Sequence, residues 1–412
     1  MFGEISNYLG EKIEYEVSDL FAYFNIIKKI KKNATLIYRG ECQKYPSING
    51  SIFREYNVKD IKIGLFKYQD LIIKEFYQEM ASSIKDLDRQ NFLAYSQHHG
   101  LPTSLIDVTH SPLVSLYFAC CQGKDEDGYV YIFKRNDTIN ISEMIIINPY
   151  LNGDDLLYEH NEKFIVFVMN EIYESSFFPV EELLINLIEF IKNDSITPAY
   201  ENSYSRIVRP LIKNTDLQTD NVRLLAEQWI HIFENDEGIT SNLLSFLEKL
   251  KENKLFTERD NWLKKYEYSQ STILVSYQKY ILWYFYLLNE LIYSYKNTNF
   301  EHGDYLNKSN INFLPIFTYQ AITDSNRIKA QSGEFIFQTA LKLNIHANLL
   351  QVLTPPVQIK IDRKAKENIM NELDMMGINK KNLFGDPDSI SAYLKNKYLN
   401  NEYDEKSKIY DF

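Results

Sequence analysis

This 412-residue sequence has few cysteines, no long apolar run and no predicted leader segment, and each of these features excludes a class of protein. The three cysteines include the neighbours Cys120 and Cys121, so no framework of disulfides is predicted and a reducing compartment is the simplest setting. The most apolar run, residues 280–288, is too short to span a bilayer. The N-terminus lacks the basic start followed by an apolar run that is typical of a signal peptide, so no signal peptide is predicted. We therefore expect a cytoplasmic protein without a membrane segment.

Basic residues are also in deficit, because 45 Lys and Arg stand against 56 Asp and Glu, giving a net charge of −11. Proteins that bind duplex nucleic acid usually present a basic face, and the chain as a whole predicts none. Nucleic acid is thus not an expected partner, although a local basic groove stays open. His98, His99 and His110 form no i, i+4 pair of the helical metal-binding type, and Cys120 and Cys121 fall in an apolar helix. We expect no metal.

The remaining composition, 45% hydrophobic and 25% charged, is typical of a folded protein long enough for two domains. Sequence patterns predict strands before residue 140, among them residues 34–39, closed by Gly40, and Gly128–Lys134. They predict further strands after residue 311, among them Val357–Ile361, and helices between the strands, the first of them capped by Ser18. From about 180 to 300 four helical runs follow one another. The predicted fold is α+β, with a mixed central β-sheet flanked by helices and a large helical insertion. Its parts are residues 1–179, the insertion 180–310, and residues 311–400.

Polar groups crowd one stretch of this otherwise apolar pattern, residues 92–121. Asp107 has apolar neighbours on both sides, which predicts a buried carboxylate that needs a partner. That partner is Arg39 or one of the two histidines, and a purely structural network of Arg39 and Asp107 with Thr103 and Thr109 is the alternative. If His98 and His99 lie on a strand, only one of them faces a pocket. Ser111-Pro112 predicts the start of the next helix.

Three separated motifs resemble the FRG domain, a family named for a Phe-Arg-Gly motif. The first reads Tyr38-Arg39-Gly40 here, with Tyr in place of Phe. The second supplies Gln97, His98, Gly100, Pro102, Thr103, Leu105, Asp107, Thr109, Pro112 and Phe118-Ala119. The third supplies Arg327, Ile328, Gln331, Gly333 and Phe335. The resemblance spans about 33–134 and 311–398, and it leaves the helical insertion unexplained.

The order of these parts also looks like the ADP-ribosyltransferase fold, a fold-level analogy that does not fix chemistry. It implies NAD as the cofactor, and it places Arg39 at the pyrophosphate or ribose, because guanidinium suits phosphate. The catalytic candidates are Arg39, His98, Asp107 and Gln331. The cofactor-binding candidates are Tyr38, Gly40, Thr103, Thr109 and Arg327.

Gln331 decides between the two functions that we carry forward. ADP-ribosyl transfer uses a glutamate at this place; glutamine can accept the same hydrogen bond but supplies no charge. Glu334 lies three residues on, and in an extended strand it points to the opposite face. One hypothesis is an NAD-dependent ADP-ribosyltransferase or NAD glycohydrolase acting as a toxin or defence effector in bacterial or phage conflict. The other is a non-catalytic module that senses a nucleotide and contacts a protein partner through the insertion.

Overall fold

The computed structural model describes residues 13–30, 35–148, 309–322, 325–342 and 348–410, with a few isolated positions between 183 and 288. The chain divides into two compact units. The first consists of Met1–Tyr150, Ile316–Gln338 and Leu353–Phe412, and the second of Leu151–Pro315 and Thr339–Val352. The predicted helical insertion falls almost entirely outside the described residues, and the predicted domain boundaries remain predictions.

The first unit contains a mixed eight-stranded sheet in the order β1-β13-β6-β2-β5-β10-β9-β7. The strands at the two ends of this order, β1 and β7, pair in parallel with their neighbours, and the other pairs are antiparallel. In chain order they are β1 (Ile13–Val17), β2 (Leu36–Glu41), β5 (Leu105–Thr109), β6 (Gly128–Lys134), β7 (Thr138–Asn140), β9 (Ile316–Tyr319), β10 (Gly333–Phe337) and β13 (Val357–Ile361). A separate hairpin of β3 (Glu55–Val58) and β4 (Ile61–Gly64) belongs to the same unit. The sheet confirms the predicted α+β class.

The helices of the first unit follow the strands along the chain. They are α1 (Leu20–Ile30), α2 (Gln69–Met80), α3 (Asp86–Gln90), α4 (Phe92–His98), α5 (Pro112–Cys120), α6 (Ser142–Ile147), α7 (Asn326–Ala330), α8 (Lys366–Met375), α9 (Lys380–Phe384) and α10 (Pro387–Tyr410). Among the described residues, none of the helices has both the length and the apolar character needed to cross a membrane.

The helices α1, α5 and α8 cover one face of the sheet, which we call the helix-covered face. Side chains from these helices and alternate strand residues, such as Tyr38, Val130 and Ile359, form the larger core cluster. Residues directly opposite in an antiparallel pair share a face, so Arg39 and its partner Tyr131 lie on the other face. A smaller cluster that includes Ile37, Tyr131 and Val108 lies on that other face.

Several predicted elements are confirmed, and two predicted termini are corrected. The strands at 128–134 and 357–361 form as predicted, and the Ser111 side chain accepts from the Val114 N–H at the start of α5. At the start of α1 the cap is Asp19, whose Oδ1 accepts from the Ala22 N–H at 2.7 Å, and not Ser18. β2 runs through Gly40 to Glu41 instead of ending at the glycine.

The described part of the second unit is a three-stranded sheet in the order β11-β12-β8. Its strands are β8 (Ser309–Ile311), β11 (Ala340–Lys342) and β12 (Asn348–Gln351). The buried side-chain amide of Gln351 in β12 holds the segments that flank this sheet, because it accepts from the Thr339 N–H and donates to the carbonyls of Leu314 and Pro315.

Candidate functional site

A cavity of about 350 Å³ lies among α3, α4 and α7 in the first unit. Its ionisable and aromatic lining residues are Lys85, Asp88, Tyr95, His98, His99 and Arg327. The lining therefore combines cationic and imidazole groups with one carboxylate and an aromatic ring. Within the described ranges, no group of three or more His, Cys, Asp or Glu side chains is arranged to hold a metal ion.

His98 and His99 lie together at the end of α4, and both line the cavity. The sequence predicted that only one of the two histidines would face a pocket if both lay on a strand. They do not lie on a strand, because His98 is the last residue of α4 and His99 caps that helix, and both side chains line the cavity. The His99 ring centroid is 4.4 Å from that of Tyr95 and 5.2 Å from that of His98. Burial of the imidazole, and next the positive charge of Arg327, lower the pKa of His98 below its ordinary value. His98 is therefore mainly neutral near pH 7.

Arg327 reaches the cavity from α7 and packs against an aromatic ring. Its guanidinium carbon is 4.6 Å from the centroid of the Phe384 ring, which is a cation–π geometry. The α7 helix has Ser325 as its cap and ends at Gln331, whose N–H donates to the Arg327 carbonyl at 3.0 Å. Arg327 and Gln331 are thus one helical turn apart, and only Arg327 lines the cavity.

Gln331 and Thr109 hold α7 in place. The Thr109 hydroxyl donates to the Gln331 carbonyl at 2.6 Å and accepts from the Ser111 N–H at 3.0 Å. The Gln331 side-chain amide donates to the Leu383 carbonyl at 3.1 Å. The structure therefore anchors Gln331 to two neighbouring segments, and its amide nitrogen is engaged there.

Thr103 holds the end of α4 in place through a hydrogen bond to Gln97, much as Thr109 holds α7. Its side chain is fully buried, and its hydroxyl donates to Gln97 Oε1 and accepts from the Leu105 N–H at 3.2 Å. Its own N–H donates to the Ser51 hydroxyl at 3.0 Å. Thr103 thus fixes Gln97, the residue before His98, and does not itself line the cavity.

Asp107 is exposed, which corrects the prediction of a buried carboxylate. Its apolar neighbours Ile106 and Val108 pack in the smaller cluster on the other face, whereas Asp107 lies opposite Phe335 on the helix-covered face. Since successive strand residues point to opposite faces, buried neighbours did not imply a buried Asp107. Phe335 pairs with Tyr319, whose hydroxyl donates to Asn91 at the cavity wall, so Asp107 and the cavity belong to the same face.

Arg39 makes no ion pair with the Asp107 carboxylate in the structure. Its Nε donates to Glu41 Oε1 at 2.8 Å, and its Nη1 donates to the Asp107 backbone carbonyl at 2.9 Å. The spacing of two residues on a strand puts Arg39 and Glu41 on one face, and this signal in the sequence was missed. Arg39 does not line the cavity.

Tyr38 and Gly40 lie on the helix-covered face as packing positions. The Tyr38 side chain is 1% exposed within the larger cluster. A Cβ on Gly40 would clash with the Ser115 carbonyl oxygen and lie 2.9 Å from the Ala119 nitrogen. Gly40 therefore lets the backbone of α5 approach β2 closely.

Gln331 ends α7 and Glu334 lies in β10, so the two do not share the extended strand that the sequence analysis assumed. Glu334 is paired with Val108, on the face opposite Asp107, and it contacts two basic side chains that the sequence did not predict. Its buried carboxylate is 3.0 Å from His110 Nε2 and 3.0 Å from Arg135 Nε. Sequence reasoning also missed Lys85, Tyr95 and His99 at the cavity, because no spacing rule links residues from three separate helices and loops.

Comparison with known proteins gives one match. Residues 34–128 match the family model described as FRG domain. This range includes Arg39, His98 and Asp107, and ends before the segment that contributes Arg327. The search of curated proteins and the search of solved structures each found no match.

Proposed function

We propose that this chain, which carries an FRG domain over residues 34–128, binds a phosphate-bearing nucleotide in the cavity among α3, α4 and α7 and serves as a nucleotide-sensing module. The observation that carries the proposal is the convergence of Arg327, Lys85 and the two histidines on one cavity. Asp88 is the one carboxylate among the described lining residues, so the lining favours an anion.

The chemistry of the lining suits a phosphate with an attached base. Arg327 offers a planar fork of N–H donors and Lys85 a point charge, the two side chains that proteins use to hold phosphate. Tyr95 and His99 offer flat rings against which a base can stack. The volume of about 350 Å³ is near the lower end for small-molecule sites, which favours a mononucleotide or one half of a dinucleotide.

NAD is the first dinucleotide to test, since the ADP-ribosyltransferase-like order of motifs implies it. The arrangement supports binding more than ADP-ribosyl transfer, because the amide of Gln331 is engaged with Leu383 and not directed to the ligand. A second candidate function is NAD cleavage, in which His98, whose pKa is lowered, would accept a proton as a neutral imidazole.

A thermal-shift panel with the purified full chain tests the binding proposal. NAD, ADP-ribose and AMP are compared with adenosine, which lacks phosphate, and with inorganic phosphate. We expect the phosphate-bearing nucleotides to raise Tm and adenosine to have a much smaller effect, because a ligand that binds only the folded state stabilises it. Equal shifts with adenosine, or no shift with any of them, would contradict the proposal.

Arg327→Met and its matched control Lys329→Met test the site itself. Both remove one cation from α7, and Lys329 is exposed and does not line the cavity. Loss of a charge-assisted hydrogen bond costs about 1.5–3 kcal/mol, so we expect Arg327→Met to weaken nucleotide binding roughly 10- to 100-fold. Isothermal titration calorimetry should show Lys329→Met close to wild type. Equal losses in the two variants would mean that the effect is one of net charge.

Nicotinamide release from NAD separates sensing from cleavage. The sensing proposal predicts a thermal shift without release. Release that is lost in His98→Gln, while binding persists, would favour the second function.

A further inference from the structure

The carboxylate of Asp88 is the one charged group in the nucleotide cavity, among the described residues, that phosphate binding does not use. The cations and imidazoles of the lining belong to Arg327, Lys85 and the two histidines, and all of them suit an anion. A carboxylate in the same cavity repels a phosphate. Asp88 therefore weakens nucleotide binding unless another part of the ligand donates to it.

The helix position of Asp88 does not account for its place in the cavity. Asp86 and Asp88 both lie in the first turn of α3, where a carboxylate stabilises the N-terminal end of a helix. Asp86 is exposed and does not line the cavity, whereas Asp88 is partly buried and does. The two residues thus share the role in the helix, and of the two only Asp88 can contact a ligand in the cavity.

The Asp88 carboxylate is available to a ligand. It makes no hydrogen bond and no ion pair with another residue in the part of the chain that the structure describes, although Lys85 and Arg327 line the same cavity. Both of its oxygens can therefore accept hydrogen bonds from a bound molecule.

Asp88 lies close to the proposed phosphate position. Burial, and next the charge of Arg327, lower the pKa of His98, and the Asp88 carboxylate acts on the same imidazole in the opposite direction. Both charges are therefore near one ring. Since Arg327 is the proposed phosphate ligand, the ligand group that reaches Asp88 must lie a short distance from the phosphate.

The ribose hydroxyls are the ligand groups that fit this place. In a 5′-nucleotide the ribose joins the phosphate to the base, so the 2′-OH and 3′-OH lie nearer to the phosphate than the outer edge of the base does. Both hydroxyls can donate, and a carboxylate has two oxygens that accept. Hydrogen bonds to a charged acceptor are about twice as strong as those between neutral groups. The rings of Tyr95 and His99 remain for the base.

We propose that Asp88 binds the ribose 2′-OH and 3′-OH and so makes the cavity selective for ribonucleotides. This inference rests on the nucleotide binding proposed above, and it adds the residue that selects the sugar. A 2′-deoxynucleotide leaves one oxygen of the carboxylate without a donor while the repulsion of the phosphate stays, and it binds more weakly for that reason.

AMP, 2′-deoxy-AMP and 3′-deoxy-AMP test this selection by isothermal titration calorimetry on the full wild-type chain. Each deoxynucleotide lacks one hydroxyl, and loss of a hydrogen bond to a charged group lowers affinity roughly 10-fold or more, which is the reduction that we expect for both. Equal affinities for AMP and 2′-deoxy-AMP would overturn the role of Asp88 and leave the nucleotide proposal intact. Binding of none of the three would contradict both proposals.

Asp88→Ala and its matched control Asp86→Ala assign the selection to a residue. Both remove one carboxylate from the first turn of α3. We expect Asp88→Ala to bind AMP and 2′-deoxy-AMP equally, and to bind 2′-deoxy-AMP at least as tightly as wild type does, because a charge that repels the phosphate is gone. Asp86→Ala should keep the wild-type ratio of the two affinities. The same ratio in a folded Asp88→Ala protein would refute the proposal.

GMP and 2′-deoxy-GMP separate a contact to the sugar from a contact to the base. A carboxylate can also accept from the N–H groups on the edge of guanine, and adenine does not present that set of donors. The ribose contact predicts that GMP exceeds 2′-deoxy-GMP in affinity by the same factor as AMP exceeds 2′-deoxy-AMP. A preference for GMP over AMP that is lost in Asp88→Ala, with 2′-deoxy-GMP binding as tightly as GMP, would place the base at Asp88 and overturn the inference.

Discussion

At the scale of single residues, the motif positions divide into those that line a cavity and those that hold the fold. His98 and Arg327 line the cavity, whereas Thr103, Thr109 and Gln331 make buried or partly buried contacts that position their neighbours. Motif membership thus does not separate a ligand contact from a structural contact. Lys366 is an example outside the motifs, because its buried ammonium donates to the carbonyls of Cys42, Gln122 and Gly123.

Gly40 is the residue for which packing makes the sharpest prediction. We expect Gly40→Ala to destabilise the protein by roughly 3 kcal/mol or to prevent folding, because the new methyl group would meet the α5 backbone, which has no flexible side chain to move. Gly64→Ala is the matched control, since a Cβ there has nothing within 4 Å. Urea denaturation measures both. Equal stabilities of the two variants would show that α5 does not pack on Gly40.

The lowered pKa of His98 in the free protein predicts that nucleotide affinity depends on pH. An anionic ligand near the imidazole favours its protonated form, so the pKa is higher in the complex than in the free protein. Between these two values the complex binds more protons than the free protein does, so nucleotide affinity rises as pH falls through that range.

Calorimetry in buffers of different ionisation enthalpy measures this proton uptake directly. We expect uptake with AMP, and little uptake with AMP in His98→Gln. Adenosine is the control ligand, since it has no phosphate to favour the imidazolium. Uptake that is the same in His98→Gln would assign the proton to another group.

At the scale of elements, α7 is held by partners distant in the sequence. Gln331 caps the C-terminal end of α7, and its backbone carbonyl accepts a hydrogen bond from the Thr109 hydroxyl of β5. Its side-chain amide donates to the Leu383 carbonyl of α9. The helix is short, so these contacts fix the direction of Arg327 more than its own helical hydrogen bonds do.

Thr109→Val tests that coupling. It removes a donor to Gln331 and an acceptor for the Ser111 N–H, and we expect a loss of about 1–3 kcal/mol in stability together with weaker nucleotide binding. Thr109→Ser keeps the hydroxyl and should retain most of both properties. Urea denaturation and calorimetry measure the two effects. A stable Thr109→Val protein with unchanged affinity would show that α7 does not depend on this bond.

Sequence patterns predicted the helices and strands better than they predicted which residues meet in the folded protein. The periodicity of β6 and β13 and the Ser-Pro start of α5 are local signals, and the structure confirms them. The face of Asp107 was misjudged because buried neighbours in a strand belong to the opposite face. The cavity joins α4 to α7 across more than 200 residues of sequence, and no local pattern records such a meeting.

At the scale of the whole molecule, the net charge of −11 contrasts with the cationic lining of the cavity. An acidic chain repels extended polyanions but can concentrate positive charge in one small site. Such a distribution favours a small phosphate-bearing ligand over a nucleic acid strand. We therefore place the proposed nucleotide at one location, the cavity among α3, α4 and α7.

The position of a bound nucleotide tests that claim most directly. A crystal structure of the full chain with the nucleotide that raises Tm most should place its phosphate within hydrogen-bond distance of the Arg327 guanidinium and beside Lys85 and His98. A nucleotide bound elsewhere, with this cavity holding only solvent, would contradict the account.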